Sequence, residues 1–236
     1  GWKAKRFWTN TEVVEAEGGG YAIALDGRAV RTPAKAALTV PTRALAEAIA
    51  GEWEAQEGEL RPDTMPLTRT ANSAIDKVAA QHEEVAALLA AYGETDLLCH
   101  RADTPRELVQ RQAEAWDPML DWAAKNLGAR LVCTTGLIPA QQPQGALEAL
   151  TQRVRAFSAF QLAAFHDLVS LSGSLILGFA AVDTVSDVET IWAISRIDES
   201  WQAEQWGEDE EAAAHAALKK CAFLDAMQFF SLLGDG

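Results

Sequence analysis

Residues 21–33 read YAIALDGRAVRTP, two apolar-rich runs separated by Asp26-Gly27 and closed by Thr32-Pro33. Asp-Gly between such runs suits a two-residue turn whose central positions both take positive φ, so the segment predicts a type I′ β-hairpin. Upstream, TEVVEA (residues 11–16) is set off by Gly18-Gly19-Gly20 and predicts a further strand. Pro41-Thr42 then ends the sheet and opens a helix through RALAEAIAGEWEAQ (43–56), with Leu45, Ile49 and Trp53 on one face. After Gly58, LRPDTMPL (60–67) reads as a loop that its two prolines hold extended.

Beyond residue 80 the pattern is helical. The fold class is therefore α+β, with a small sheet-and-helix domain over 1–80 and a larger all-helical domain over 81–236. TPRE (104–107) has the form of a capping box with proline at the first helical position, and SDVE (186–189) that of a second. From the first runs the stripe Val109, Ala113, Trp116, Leu120, Ala123, Leu127. Asp117-Pro118 inside it predicts a kink or restart, and Gly128 a C-terminal cap. Residues 158–182, SAFQLAAFHDLVSLSGSLILGFAAV, could be mistaken for a membrane span. The charge-free part, from Leu168, is shorter than the roughly 20 residues a span needs. His166 and Asp167 would also be costly in lipid. It predicts a central buried helix, broken or closely packed at Gly173 and Gly178.

The chain has 34 Asp and Glu against 20 Lys and Arg over 236 residues, a net charge of −14. That balance argues against a nucleic-acid groove and an anionic membrane surface, and opposes self-association, so a monomer or weak dimer is expected. Cys99, Cys133 and Cys221 are odd in number and far apart, which predicts reduced thiols rather than a disulfide framework or metal pair. The chain opens on Gly1 rather than Met and reads as trimmed, so a targeting peptide ahead of it would leave no trace.

Motifs for chemistry are absent. There is no G-x-x-x-x-G-K-[ST] loop, and the three consecutive glycines join two strands rather than a strand and a helix. Ser172-Gly173-Ser174 lacks the G-x-S-x-G elbow. His82, His100, His166 and His215 have no metal-ligand spacing. No cofactor and no metal are expected.

The carboxylates carry what chemistry there is. Residues 196–215, RIDESWQAEQWGEDEEAAAH, combine two tryptophans with a dense set of acids. Stepped at 100° per residue as one helix from Val188, Asp198 and Glu199 fall within the apolar arc of Val188, Ile191, Trp192, Ile194, Ile197, Trp201 and Trp206, while Arg196, Ser200 and Glu204 take the opposite, solvated side. An unpaired carboxylate in that arc is costly, so each requires an internal partner, such as Arg69, Arg101 or Arg111, or a contact on another protein. Glu208, Asp209, Glu210 and Glu211 suit the first turn of a following helix. Neighbouring acids diverge by about 100° and do not flank one bond, which weakens a carboxylate-based hydrolase or lyase reading.

LDGRAVRTP, LAEAIAGEWEAQ, PDTMPLTRTANSAID, TDLLCHRA, RQAEAWDPMLDWA and IDESWQAEQWGEDEEA occur in the order and spacing of one family. Over residues 6–233 the chain resembles the mitochondrial and alphaproteobacterial assembly chaperones for the α subunit of the F1 head of ATP synthase. His100 departs from the family's usual aromatic. The resemblance implies an α+β N-terminal and a helical C-terminal domain, and no ATPase activity. It implies a holdase that keeps the free α subunit until the β subunit replaces it, in a bacterial cytoplasm or a mitochondrial matrix. On that reading Glu199 is the foremost client contact, with Asp198, Trp201, Gln202, Trp206 and Asp209 around it. Trp53, Arg69, Asn72, Arg101 and Trp116 are structural or domain-junction residues, and Arg69 is placed to pair with an acid of the C-terminal domain. A permanent scaffold is a third reading. Calorimetry with ATP is expected to show no saturable micromolar binding. Saturable binding abolished by one point substitution would contradict this.

Overall fold

The computed structural model describes residues 4–234, which form two compact units. Among the described residues the first unit comprises 4–82 together with 158–164 and 228–234. Its sheet contains β1 (Thr11–Glu15), β2 (Tyr21–Leu25), β3 (Arg28–Ala29) and β4 (Thr39–Val40). β2 is the centre. It pairs antiparallel with β1 along its length, and with β3 and β4 on its other edge. Asp26 (φ 50°) and Gly27 (φ 80°) turn the chain between the paired residues Leu25 and Arg28. Positive φ at both positions is the signature the Asp-Gly pair predicted. The Asp26 carboxylate also accepts hydrogen bonds from the Thr9 and Asn10 amides at 3.1 and 2.8 Å.

Helix α1 (Arg43–Glu54) is capped by Thr42, whose hydroxyl accepts from the Leu45 amide, and it packs on β1 and β2. Leu45 and Ile49 are fully buried with Ile23, Leu38 and Val40, and half-buried Trp53 lies against this core 5.5 Å from Trp8. The predicted extended proline loop is not what forms. Residues Pro62–Thr64 make a 3-10 turn, and Pro66 occupies the first position of α2 (Pro66–Ser73), where a missing N–H costs nothing. Met65 offers α2 no side-chain cap. Glu52 of α1 supplies one instead, accepting from the Leu67 and Thr68 amides at 2.8 and 2.7 Å. Asp76, in the π-turn that follows α2, accepts from the Thr32 hydroxyl and the Ala34 amide, clamping the loop before β4.

The sequence reading assigned residues 158–164 and 228–234 to the helical domain, whereas they group with the first unit. Ala164 and Phe229 are fully buried in the sheet's core, and the Thr42 hydroxyl donates to the Leu232 carbonyl at 2.6 Å.

The second unit, residues 83–157 and 165–227, is helical. Its helices are α3 (His82–Ala90), α4 (Arg106–Asn126), α5 (Gln144–Arg155), α6 (Ala159–Ser172), α7 (Leu175–Val182), α8 (Val188–Ser195), α9 (Ile197–Trp206) and α10 (Glu210–Leu232), with α3, α6 and α10 each contributing residues to both units. Residues 158–182 divide at Gly173 (φ 74°) into α6 and α7. Gly178 lets the two helices touch: a Cβ there would meet Val169 Cγ2 at 2.8 Å and Phe165 at 3.0 Å. Among the described residues no helix is long and apolar enough to cross a membrane.

The start of α4 differs from the sequence expectation, and of the kink or restart expected at Asp117-Pro118 the restart does not occur. Pro105, extended at ψ 164°, takes the cap position itself, which leaves Thr104 one residue too early to cap. The helix also continues through Pro118 without a restart. Trp116, Met119 and Leu120 are buried on either side of that proline, and their packing holds the two halves in one helix.

Asp96, fully buried, gathers the Leu98 amide, the Ser174 hydroxyl and the Ile176 amide at 3.0, 2.8 and 3.0 Å, joining the turn before residue 100 to the start of α7. Burial raises its carboxyl above the ordinary value, against the lowering effect of these donors. Asp96→Ala strands three donors, and a loss of about 3 kcal/mol is expected in denaturant unfolding. Because the folded state holds this proton more tightly than the unfolded chain, the raised pKa contributes stability that is complete below about pH 3.9 and lost as pH rises through the folded value. The gap between wild type and variant should therefore be widest near pH 4 and narrow toward neutrality; a gap that widens with pH would contradict the assignment.

Candidate partner-binding site

The acidic stretch does not form one helix with residue 188. Asp187, not Ser186, caps α8, accepting from the Thr190 amide at 2.9 Å, and Arg196 (φ −112°, ψ 18°) interrupts the helix before α9. The interruption resets the helical phase, so the arc carried across it from Val188 misplaces Glu199. Glu199 is exposed and pairs with Arg196 at 3.5 Å, while the Arg196 guanidinium lies over Trp192 at 5.6 Å. Glu204, expected in solvent, is exposed and pairs there with Arg111 at 2.7 Å.

What α9 rests on is one face of α4. Leu108, Gln112 and Trp116 follow each other at helical spacing and are all buried. The Gln112 side chain accepts from the Ala102 amide at 2.9 Å and donates to the Asp198 carboxylate at 2.6 Å. Asp198 thus has a neutral amide as its partner rather than any of the three arginines considered from sequence. Trp116 donates its indole N–H to the Ile194 carbonyl at 2.8 Å, near the end of α8. Beside these bonds, Arg111 stacks over half-buried Trp201 at 5.0 Å. Arg101 stacks over Trp116 at 5.5 Å, reaches Asp117 at 2.8 Å and donates to the Leu98 carbonyl at 2.7 Å.

Asp198, Trp201 and Glu204 therefore turn toward α4. The other side of α9 carries Glu199, Gln202 and Trp206, spaced three and four apart and all exposed, Trp206 to 82%. No residue of α9 is buried. Asp209 lies beyond Gly207 and caps α10, accepting from the Ala212 amide at 3.0 Å. Helix α10 begins at Glu210, so Glu208 precedes the first turn it was expected to occupy.

Trp53, Arg69 and Asn72 belong to the first unit. Arg69 is exposed on α2, and Asn72, half-buried, has a buried Oδ1 without a hydrogen-bond partner among the described residues. Sequence reasoning missed Gln112, and a signal for it existed: a glutamine four residues from both Leu108 and Trp116 on a buried face requires hydrogen-bond partners. The acids do not converge on one another. Asp198, Glu199, Glu204 and Asp209 each have a separate partner, and no cluster of metal-ligating residues occurs among the described residues.

A family model described as ATP12 chaperone protein matches residues 5–124. The chain belongs to the ATP12 chaperone family. A curated relative, mitochondrial protein atp12 of Schizosaccharomyces pombe, is 30% identical over 220 residues, covering 88% of this chain and 75% of that protein. The crystal structure of Atp12 from Paracoccus denitrificans is similar at 51% identity, with a TM-score of 0.95 and 98% of both chains covered. The Atu1473 protein of Agrobacterium tumefaciens matches at 40% identity and a TM-score of 0.94, over 97% of this chain and 86% of that one. Members of the ATP12 family are chaperones rather than enzymes.

In this ATP12-family chain the inner and outer faces of α9 should respond differently to substitution. Gln112→Ala leaves the Ala102 amide and Asp198 without their partner, and a loss of about 2 kcal/mol is expected in denaturant unfolding. Glu199→Lys replaces an exposed member of a surface pair and should stay within about 0.5 kcal/mol of wild type. Equal losses would show that the two residues share one environment.

Proposed function

We propose that the protein serves assembly of the F1 sector of ATP synthase, holding the free α subunit until the β subunit takes its place, and that the outer face of α9 meets that client. The observation that carries the choice of surface is Trp206, a large aromatic left 82% exposed at the end of a helix with no buried residue. An indole in water is unused apolar area, and tryptophan is enriched among residues that dominate binding energy. Glu199 and Gln202 lie on the same stripe and provide polar contacts around it. Asp198 and Trp201 support the helix from beneath, and Asp209 fixes the start of α10. A client patch of matching chemistry is apolar at its centre, with a cationic side chain near Glu199. The setting is a bacterial cytoplasm or a mitochondrial matrix, and the protein acts there as a monomer or weak dimer.

Co-expression with the α and β subunits, followed by pull-down of each, tests the reading. The α subunit should be retained and the β subunit should not. Trp206→Ser should weaken retention by roughly 30-fold, as loss of a hot-spot residue does, and Glu199→Lys should weaken it without changing the melting temperature. Retention of β alone, or of neither subunit, would overturn the function. Retention of α unchanged by either substitution would move the contact away from α9.

A further inference from the structure

Two of the three cysteines, distant in sequence, are brought together. The Thr134 amide donates to the Cys99 carbonyl at 2.8 Å and the Arg101 amide to the Thr134 carbonyl at 2.9 Å, a parallel bridge that sets His100 opposite Thr134. The Thr134 nitrogen belongs to the peptide bond with Cys133, so this hydrogen bond sets Cys133 directly against Cys99, the last residue of the 3-10 turn Leu97–Cys99. A disulfide needs two such closely apposed backbone positions. The Cys133 thiol also approaches the carbonyl of Leu98, the residue before Cys99, at 3.9 Å. Both thiols are free; Cys133 is exposed and Cys99 is buried.

We propose that Cys99 and Cys133 form a thiol–disulfide exchange site that closes against a small-molecule disulfide such as oxidised glutathione. Its exposure makes Cys133 the entry point. The Cys133 thiolate attacks one sulfur of the glutathione disulfide, forming Cys133–S–S–glutathione and releasing one glutathione thiolate. The Cys99 thiolate then attacks the Cys133 sulfur and expels the second glutathione thiolate. The two protein thiols lose two electrons, the glutathione disulfide gains them, and the two thiol protons pass to the released thiolates. Closure would covalently fix the base of the loop that carries the exposed Leu137 and Ile138.

The second step is the slow one. Burial pushes the Cys99 thiol up to about 12, with the Asp96 charge and the Cys133 thiol adding to the shift and the Arg101 guanidinium opposing it. Far below that value the thiolate fraction rises tenfold per pH unit, and the closure rate should follow it.

The test uses the full chain with Cys221→Ser to remove the third thiol. It is reduced, freed of reductant and treated with oxidised glutathione at pH 7, 8 and 9. Intact mass should show one glutathione adduct, mapped to Cys133, that converts to a species two hydrogens lighter than the reduced protein, with residues 99 and 133 cross-linked. Conversion should quicken about tenfold per pH unit, and Cys133→Ser should leave Cys99 unmodified. A Cys133 adduct that persists at pH 9, a link that forms only in denaturant, or direct modification of Cys99 in the Cys133→Ser protein would each overturn the proposal.

Discussion

One buried amide determines how the acidic stretch is presented. Gln112 sits on the apolar face of α4, and its two ends are matched to two different groups, the Ala102 amide and the Asp198 carboxylate. A neutral amide suits this position because it satisfies a backbone donor and a carboxylate together without placing a charge on the buried face of α4. With Asp198 held from below, the orientation of α9 is set: Trp201 turns in beside Arg111, and Glu199, Gln202 and Trp206 turn out. The Arg111–Glu204 pair closes the same seam at its exposed edge, where an ion pair contributes little to stability but restricts geometry. The outer stripe is a consequence of the inner one.

The first unit depends on a different constraint. A sheet with two two-residue strands has little capacity to stand alone, and its core is completed by residues from far along the chain. Phe229 and Ala164 are fully buried in it, and the Thr42 hydroxyl both caps α1 and donates to the Leu232 carbonyl. The unit is therefore complete only once the chain has been made as far as Leu232. Internal carboxylates do the local capping. Glu52 serves α2, Asp76 the loop before β4 and Asp26 the entry to β1, which accounts for part of the acid excess without any partner.

Legibility from sequence followed the range of the signal. Asp26-Gly27 needs only its own backbone preference, and the hairpin appears where that preference places it. Gly173 and Gly178 read correctly as a break and a close approach, because an otherwise apolar run gives a glycine few other uses. Errors arose where a neighbour competes for the same role. Pro105 and Asp187 each displaced by one residue the cap that the local motif assigned. The interruption at Arg196 was invisible because both flanking segments are helical, and it changed which side of α9 Glu199 occupies. Gln112 and the burial of Phe229 depend on what faces them across the fold, and no local pattern encodes that. The family resemblance rested on six segments in register, and the ATP12 match bears it out.

The central claim is that α9 is clamped from the α4 side and reads its client with the other. Hydrogen–deuterium exchange of the chain, alone and with isolated F1 α subunit, tests this most directly. The account predicts new protection from Glu199 through the Gly207 turn, with the amides of α4 around Gln112 equally slow in both states. Protection confined to the first unit, or α4 amides that become faster on binding, would contradict it.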